Sequence, residues 1–332
     1  MMKITPREAS TSAFGQTGVF RGHIHFENPT LSKYAWPLCD IRGAQPGPRL
    51  CVTAGVHVNE VSSMEAAVRL QSLFDPQTMR GTVSIIPLVN LPAYGKFTQY
   101  NCPEDDKNIN FTFPGDPKGS FSEVLCDVLL NVWAEGAECY IDLHGGDLRE
   151  KVSKFVMFQP TGEPELDAEK EKLARCFDAE IVMALPQKLL SAPGRAPTGF
   201  ANAGRISIMS EAGANGIYDE ESISFHVDGV LNIAAELGIT DHRIQPTRAQ
   251  ILCNEYLWLE SPESGQFHTT LVPGQAVTKG QILGAIYDVF GCKVDDVLSP
   301  KDALVLWRMT HPTAVAGSPL LALAIRAESP AS

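Results

Sequence analysis

An α/β fold on a mixed, mostly parallel sheet flanked by helices, with a small all-β unit at the C-terminus, is what this 332-residue sequence predicts. Three observations carry that expectation. Residues 49–56, 82–90 and 139–143 are short, nearly continuous apolar runs, as strands buried on both faces require. Segments of helical periodicity alternate with them. Near Pro246 the texture changes to short strand-like runs with Gly and Pro and little helical periodicity. The expected division is therefore residues 1–248 as the α/β domain and 249–332 as a small β barrel or sandwich.

Taken in order, residues 19–26 alternate as a strand does and 35–42 read as a second. Gly47-Pro48 breaks the chain before the buried strand at 49–56. Residues 61–74 place Met64, Ala67, Val68, Leu70 and Leu73 on one helical face. After the strand at 82–90 comes a long polar stretch, 98–119, of the kind that inside a compact domain is usually functional. A helix is expected over 121–135, a strand over 139–143 and another over 205–209. The acidic run 163–171 reads as a solvated helix start. In the C-terminal unit, Ser261-Pro262-Glu263-Ser264 and the β-like run after it are echoed from Ser299-Pro300-Lys301-Asp302, which suggests two pseudo-symmetric halves. Carrier domains have such halves, but no lysine here sits in the exposed hairpin a carrier needs, so the unit reads as a structural or gating appendage.

Composition narrows the function. With 39 acidic against 27 basic side chains, a net charge of −12 and a pI near 5.1, the chain is a poor partner for nucleic acid or an anionic membrane. The polar start, residues 1–10, has no apolar run that resembles a signal peptide, and eight scattered cysteines form no C-x-x-C pair. A cytoplasmic protein with reduced thiols and a small-molecule substrate is expected, and a homo-oligomer is compatible with the composition.

His57-Val58-Asn59-Glu60 and the later Asp142-Leu143-His144-Gly145-Gly146 each follow a predicted buried strand. Two imidazoles and a carboxylate are the ligands of a hydrolytic zinc site that keeps a position open for water. His57, Glu60 and His144 are thus candidate ligands for one zinc ion per chain, although ligand types alone do not separate zinc from manganese or cobalt. Asp142 can orient a neighbouring histidine. Glu211, at the end of the strand before Ala212-Gly213, is a candidate general base. The residues alone leave a blander alternative open: two loop histidines, a helix-starting Glu60 and a surface carboxylate at 211. His23 and His25 share a predicted strand face, and a half-exposed edge strand explains them without an ion.

In their order, these motifs resemble the succinylglutamate desuccinylase/aspartoacylase family, relatives of the zinc carboxypeptidases. The family pattern G-x-H-G-x-E, N-x-N-R-x-F-P-G, D-L-H-x-G and E-x-G is met by Gly55–Glu60, Asn108–Gly115, Asp142–Gly146 and Glu211–Gly213, and the resemblance spans roughly residues 45–325. It implies zinc on His57, Glu60 and His144, with Glu211 promoting attack of water on an amide carbonyl. Two departures stand out. Phe111 and Tyr100 occupy positions where the family carries arginines that grip a substrate carboxylate. Asn110 remains as a candidate substrate contact, beside a more apolar or aromatic pocket at Phe111 and Tyr100. Arg149 and Arg195 are the candidate replacement cations, each also readable as a solvated arginine. Val58 and Asn59, in place of Gly and Asp, remove no ligand. The expected activity is cleavage of a small N-acylated amine or amino acid by a zinc amidohydrolase. The alternatives are a carboxypeptidase-like peptidase, or a metal-binding pseudo-enzyme or ligand-binding protein on the same fold.

Overall fold

The structure, a computed structural model, describes residues 3–4, 16–241 and 246–327. Apart from the two-residue strand Lys3–Ile4, the polar start at 1–10 lies outside them. Among the described residues thirteen strands follow one another in a single sheet. Its centre is parallel: Arg80–Ile86, Gln45–Ala54, Cys139–His144 and Ser207–Ala214 lie side by side and point the same way. On one flank Trp36–Arg42 is antiparallel to both Gly18–Ile24 and Arg80–Ile86. On the other, Glu150–Phe158 is antiparallel to Ser207–Ala214, and Ile181–Ala184 and Ile251–Glu260 then continue parallel to it. The sheet expected to be mixed and mostly parallel is mixed, with parallel runs in its middle and over Glu150–Phe158, Ile181–Ala184 and Ile251–Glu260 separated by an antiparallel step, and chain length explains that step. Residues 145–149 are too few for the crossover that a parallel return from His144 to Glu150 would need.

Alternation puts apolar side chains on both faces of the central strands. Leu50, Val52, Ala54, Cys139, Ile141 and Leu143 pack with helices Val61–Leu70, Pro164–Ala174 and Glu220–Glu236. Cys51 and Tyr140 point to the other core, with Phe121, Val124, Leu125 and Phe200 from helices Phe121–Val128 and Ala196–Asn202. Each fully buried aliphatic contributes about 1.5–3 kcal/mol, so two cores on one sheet hold the central strands rigidly. The helix expected over 121–135 opens with a Ser120–Glu123 capping box and passes into a π turn, Leu129–Trp133. None of the described helices is long and apolar enough to cross a membrane.

The all-β unit expected from residue 249 does not stand apart. Ile251–Glu260 pairs with Ile181–Ala184, and Pro319–Arg326 and Ala303–Met309 follow. Ala303–Met309 then pairs back onto Glu150–Phe158, with Trp307 opposite Val152. Five strands thereby close a ring that belongs to both halves of the chain, and its apolar filling forms a third core. A four-stranded sheet, Lys293–Leu298, Ile282–Tyr287, Gly265–His268 and Thr313–Ala314, lies beyond it. The internal echo has a structural counterpart: buried Ser261 and Ser299 each donate a hydroxyl to the carbonyl two residues on, at 2.7 Å.

Candidate functional site

Strand Gln45–Ala54 ends at Gly55, whose φ of +68° turns the chain, and a Cβ there would press on Met64 and Leu88 at 3.0–3.1 Å. The turn brings His57 and Glu60 to the C-terminal edge of the parallel strands, with helix Val61–Leu70 starting immediately after Glu60. Cys139–His144 lies alongside and ends in His144; Ser207–Ala214 is next, with Glu211 in register with His144. Gly145 donates its N–H to Glu60 Oε2 at 2.9 Å. It must be glycine, because a Cβ would lie 2.3 Å from the Ala212 carbonyl oxygen. Adjacent parallel strands and one close backbone approach thus gather four chemical groups from three distant segments.

Both imidazoles turn Nδ1 towards Glu60. His57 Nδ1 is 2.6 Å from Oε1, and His144 Nδ1 is 3.1 Å from Oε2 without a directed hydrogen bond. The far nitrogens are committed elsewhere: His57 Nε2 lies 3.0 Å from Asn108 Oδ1, and His144 Nε2 3.1 Å from Asp142 Oδ2. Asp142 is itself fixed by Thr53 Oγ1 at 2.7 Å. Ligand atoms of His57, Glu60 and His144 all lie within 4.8 Å of one another, and all three residues are buried. An Nε2–H donated to a carboxylate or amide oxygen fixes the tautomer whose Nδ1 lone pair is free for a cation. The donor set therefore fits a divalent ion that accepts imidazole nitrogen and carboxylate oxygen.

The electrostatics agree. Burial works against a charge on either histidine, yet Glu60 raises His57 above its ordinary 6.5, and Asp142 with Glu60 raises His144 further. Burial would raise Glu60, but the two imidazoles pull it down. Glu211 is pushed up, first by burial and then by the Glu60 charge. Protons shared among these side chains hold the cluster together, and a cation bound by them would have to displace those protons. The raised histidines stabilise the metal-free protein below pH 6.5, and that contribution is lost as pH rises through their raised values. Metal affinity runs the opposite way. Zinc affinity, measured by competition with a chromophoric chelator, is expected to fall about tenfold or more per pH unit below neutrality; a flat profile from pH 8.5 to 5.5 would contradict the ligand assignment.

The cluster opens into a cavity of about 230 Å³ lined, among others, by Tyr100, Asn110, Phe111, Arg195 and Glu211. Its far side comes from the strand ring, including Val152, Met157, Met183, Tyr256 and Trp307. Asn110 is buried, with Oδ1 lacking a hydrogen-bond partner among the described residues. Tyr100 adopts φ of +62°, a conformation that costs a non-glycine residue about 1–3 kcal/mol. Its ring meets His57 edge-on at 5.3 Å, and its hydroxyl donates to Glu150. Asn59 ties down the same loop by donating to the Thr98 carbonyl at 3.1 Å. Arg195 stacks its guanidinium over Phe111 at 4.6 Å and lies 5.8 Å from the Tyr256 ring centre.

The structure thus brings together His57, Glu60, His144, Glu211, Tyr100, Asn110, Phe111 and Arg195. Arg149 is not among the cavity-lining residues; it is exposed and bonded to the Gln99 side chain. His23 and His25 join no three-residue ligand cluster among the described residues. Sequence reasoning missed Asn108 as the partner of His57, although it stands in the N-x-N motif. It also missed Glu150, Tyr256 and Trp307, which have no local signal because ring closure delivers them.

Residues 46–237 match the sequence profile of the succinylglutamate desuccinylase/aspartoacylase catalytic domain. The N-alpha-acetyl-L-2,4-diaminobutyric acid deacetylase of Halomonas elongata is 27% identical over 249 residues, 73% of this chain and 71% of that protein. A succinylglutamate desuccinylase/aspartoacylase structure from Rhodobacter sphaeroides superposes with a TM-score of 0.81 at 22% identity, covering 95% of this chain and 98% of that one. The product-bound ectoine utilization protein EutE (DoeB) from Ruegeria pomeroyi also gives 0.81, at 20% identity, with 93% and 96% covered. These structural likenesses establish a shared mixed α/β fold.

Proposed function

Because this chain belongs to the succinylglutamate desuccinylase/aspartoacylase family, we propose that it is a zinc-dependent deacylase that hydrolyses the amide bond of a small N-acylated amine or amino acid. The observation that carries this reading is the convergence of His57, Glu60 and His144, with both far imidazole nitrogens already committed. The deacetylase named for the Halomonas relative supports amide hydrolysis as the reaction type. In this reading residues 1–248 supply the chemistry and 249–332 supply the β unit that walls the cavity.

His57 Nδ1, His144 Nδ1 and a Glu60 oxygen would hold one zinc ion. Bound there, zinc supplies a Lewis acid that polarises the acyl oxygen and makes water acidic near neutral pH. Glu211 removes a proton from the attacking water and delivers it to the leaving nitrogen. A C–O bond forms, the C–N bond breaks, and the products are a carboxylic acid and a free amine. Burial and the Glu60 charge make Glu211 basic enough to hold that proton between the two transfers. Asn110, with an uncommitted side-chain oxygen, positions the amide, and Arg195 on Phe111 receives a substrate carboxylate in place of the family's arginines. Tyr100 packs against His57 and forms part of the cavity wall.

The test is amine release by the zinc-loaded protein from a panel of N-acyl amino acids and short peptides. Release from the acyl amino acids is expected. Release from peptides alone, or from neither, would contradict the deacylase reading.

A further inference from the structure

The strand ring builds the part of the cavity away from the metal cluster, and its lining follows one line of register. Trp258 lies opposite Ala322, Ala322 opposite Trp307, and Trp307 opposite Val152, so four neighbouring strands aim these side chains at the same space. Met157 and Met183, another directly opposed pair, line it as well, and thioethers adapt readily to the shape of an apolar guest. The two indoles meet edge to face at 5.2 Å. Between them Ala322 offers only a methyl group, which leaves a slot that a longer aliphatic side chain would fill. Ala322 is 1% exposed and Trp258 44%, so the lining reaches from the ring interior to the surface.

Charge is what this wall lacks. Of the lining residues that the five ring strands contribute, Glu150 is the only charged one. Its carboxylate already accepts from the Asp147 N–H at 3.2 Å and from the Tyr100 hydroxyl, and the Trp307 side chain bonds to it. Arg195, which also lines the cavity, is stacked on Phe111 and suits the substrate carboxylate. A second charged group carried into the ring would lose its water and gain no ionic partner there. An apolar group would instead leave water for a wall of indole, thioether and aliphatic carbon. An apolar cavity of about 150 Å³ already holds a benzene ring, and this cavity measures about 230 Å³.

We propose that the ring interior receives an uncharged, apolar arm of the substrate, so that this site takes N-acyl amino acids with a chain of several carbons or an aromatic ring on one side of the amide. The inference rests on the deacylase reading for the reaction and on the ring lining for the arm. The amide faces Glu211 and the metal cluster, the carboxylate takes Arg195, and the apolar arm lies along Trp307, Ala322 and Met183.

The experiment uses the zinc-loaded full chain and two substrate series with N-acetylglycine as their common reference. The acyl series compares it with N-hexanoylglycine, and N-pentanoylglycine with N-succinylglycine. The amine series compares it with N-acetylnorleucine, and N-acetylnorleucine with N-acetylglutamate. Four buried methylenes are expected to raise kcat/KM about 10²-fold over the reference in at least one series, with the charged counterpart well below the apolar one. The series that responds identifies which side of the amide enters the ring. Ala322→Leu, which fills the slot between the indoles, should bring the long-to-short ratio to within about threefold. Ratios near one in both series, a preference for the charged members, or a ratio unchanged in Ala322→Leu would overturn the proposal while leaving the deacylase reading intact. The wild-type comparison decides even if the variant does not fold. If no acyl substrate turns over, the deacylase reading fails, and calorimetry with N-hexanoylglycine and N-acetylnorleucine against N-acetylglycine then tests the ring separately. Tighter binding of either long compound with a more negative heat-capacity change, lost in Ala322→Leu, supports the apolar arm; equal or absent binding of both overturns it.

Discussion

Replacing Glu211 by Gln is expected to cut kcat about 10³-fold while leaving the metal in place. The amide has the shape of the carboxylate but cannot accept the proton from water or return it to the leaving nitrogen. Glu211 lies in register with His144 on the neighbouring parallel strand, close enough to serve the cluster without belonging to the three-residue ligand group. KM should move little, because the loss falls on the transition state rather than on substrate binding. The pH profile gives an independent sign. A general base works deprotonated, so wild-type kcat rises with pH through the pKa of Glu211, and the bound cation moves that limb to lower pH. In Glu211→Gln the acidic limb should vanish. A loss below tenfold with the limb intact would make another group the base.

Removing the Arg195 guanidinium should be the next largest effect. Arg195→Ala is expected to lower kcat/KM about 10²-fold for acyl amino acids with a free carboxylate, and far less for the same molecules as primary amides. Phe111 lies beneath the guanidinium at 4.6 Å and Tyr256 flanks it, so the side chain is held in one orientation over an apolar base, where a charge-assisted fork is strong. Arg195→Lys should recover little, because a point charge cannot reproduce the planar fork or the stack. Equal losses for acid and amide would mean that Arg195 only packs against Phe111.

The chemistry of this site was far more legible in the sequence than its walls. His57, Glu60, His144 and Glu211 each end or follow an apolar run, and the ends of buried parallel strands are where such sheets gather functional groups. Those signals are local. The ring of five strands is not, because it depends on Ala303–Met309 pairing with Glu150–Phe158 across most of the C-terminal half. No periodicity in either segment announces that pairing, so Glu150 and Trp307 stayed hidden, and the β unit read as an appendage rather than as part of the cavity wall. The two candidate arginines were equivalent as letters. What separates them is that Arg195 finds Phe111 and Tyr256 while Arg149 finds solvent and Gln99. Phe111 looked like the loss of a cation; in the structure it is the platform on which one rests.

The most direct test of the central claim is metal content by plasma mass spectrometry on protein purified without chelators or a histidine tag. Wild type should carry about one zinc per chain, and His57→Ala and His144→Ala should each lose it while remaining folded by circular dichroism. A wild-type protein that binds no zinc even after reconstitution, or variants that keep it, would contradict a metal centre on His57, Glu60 and His144.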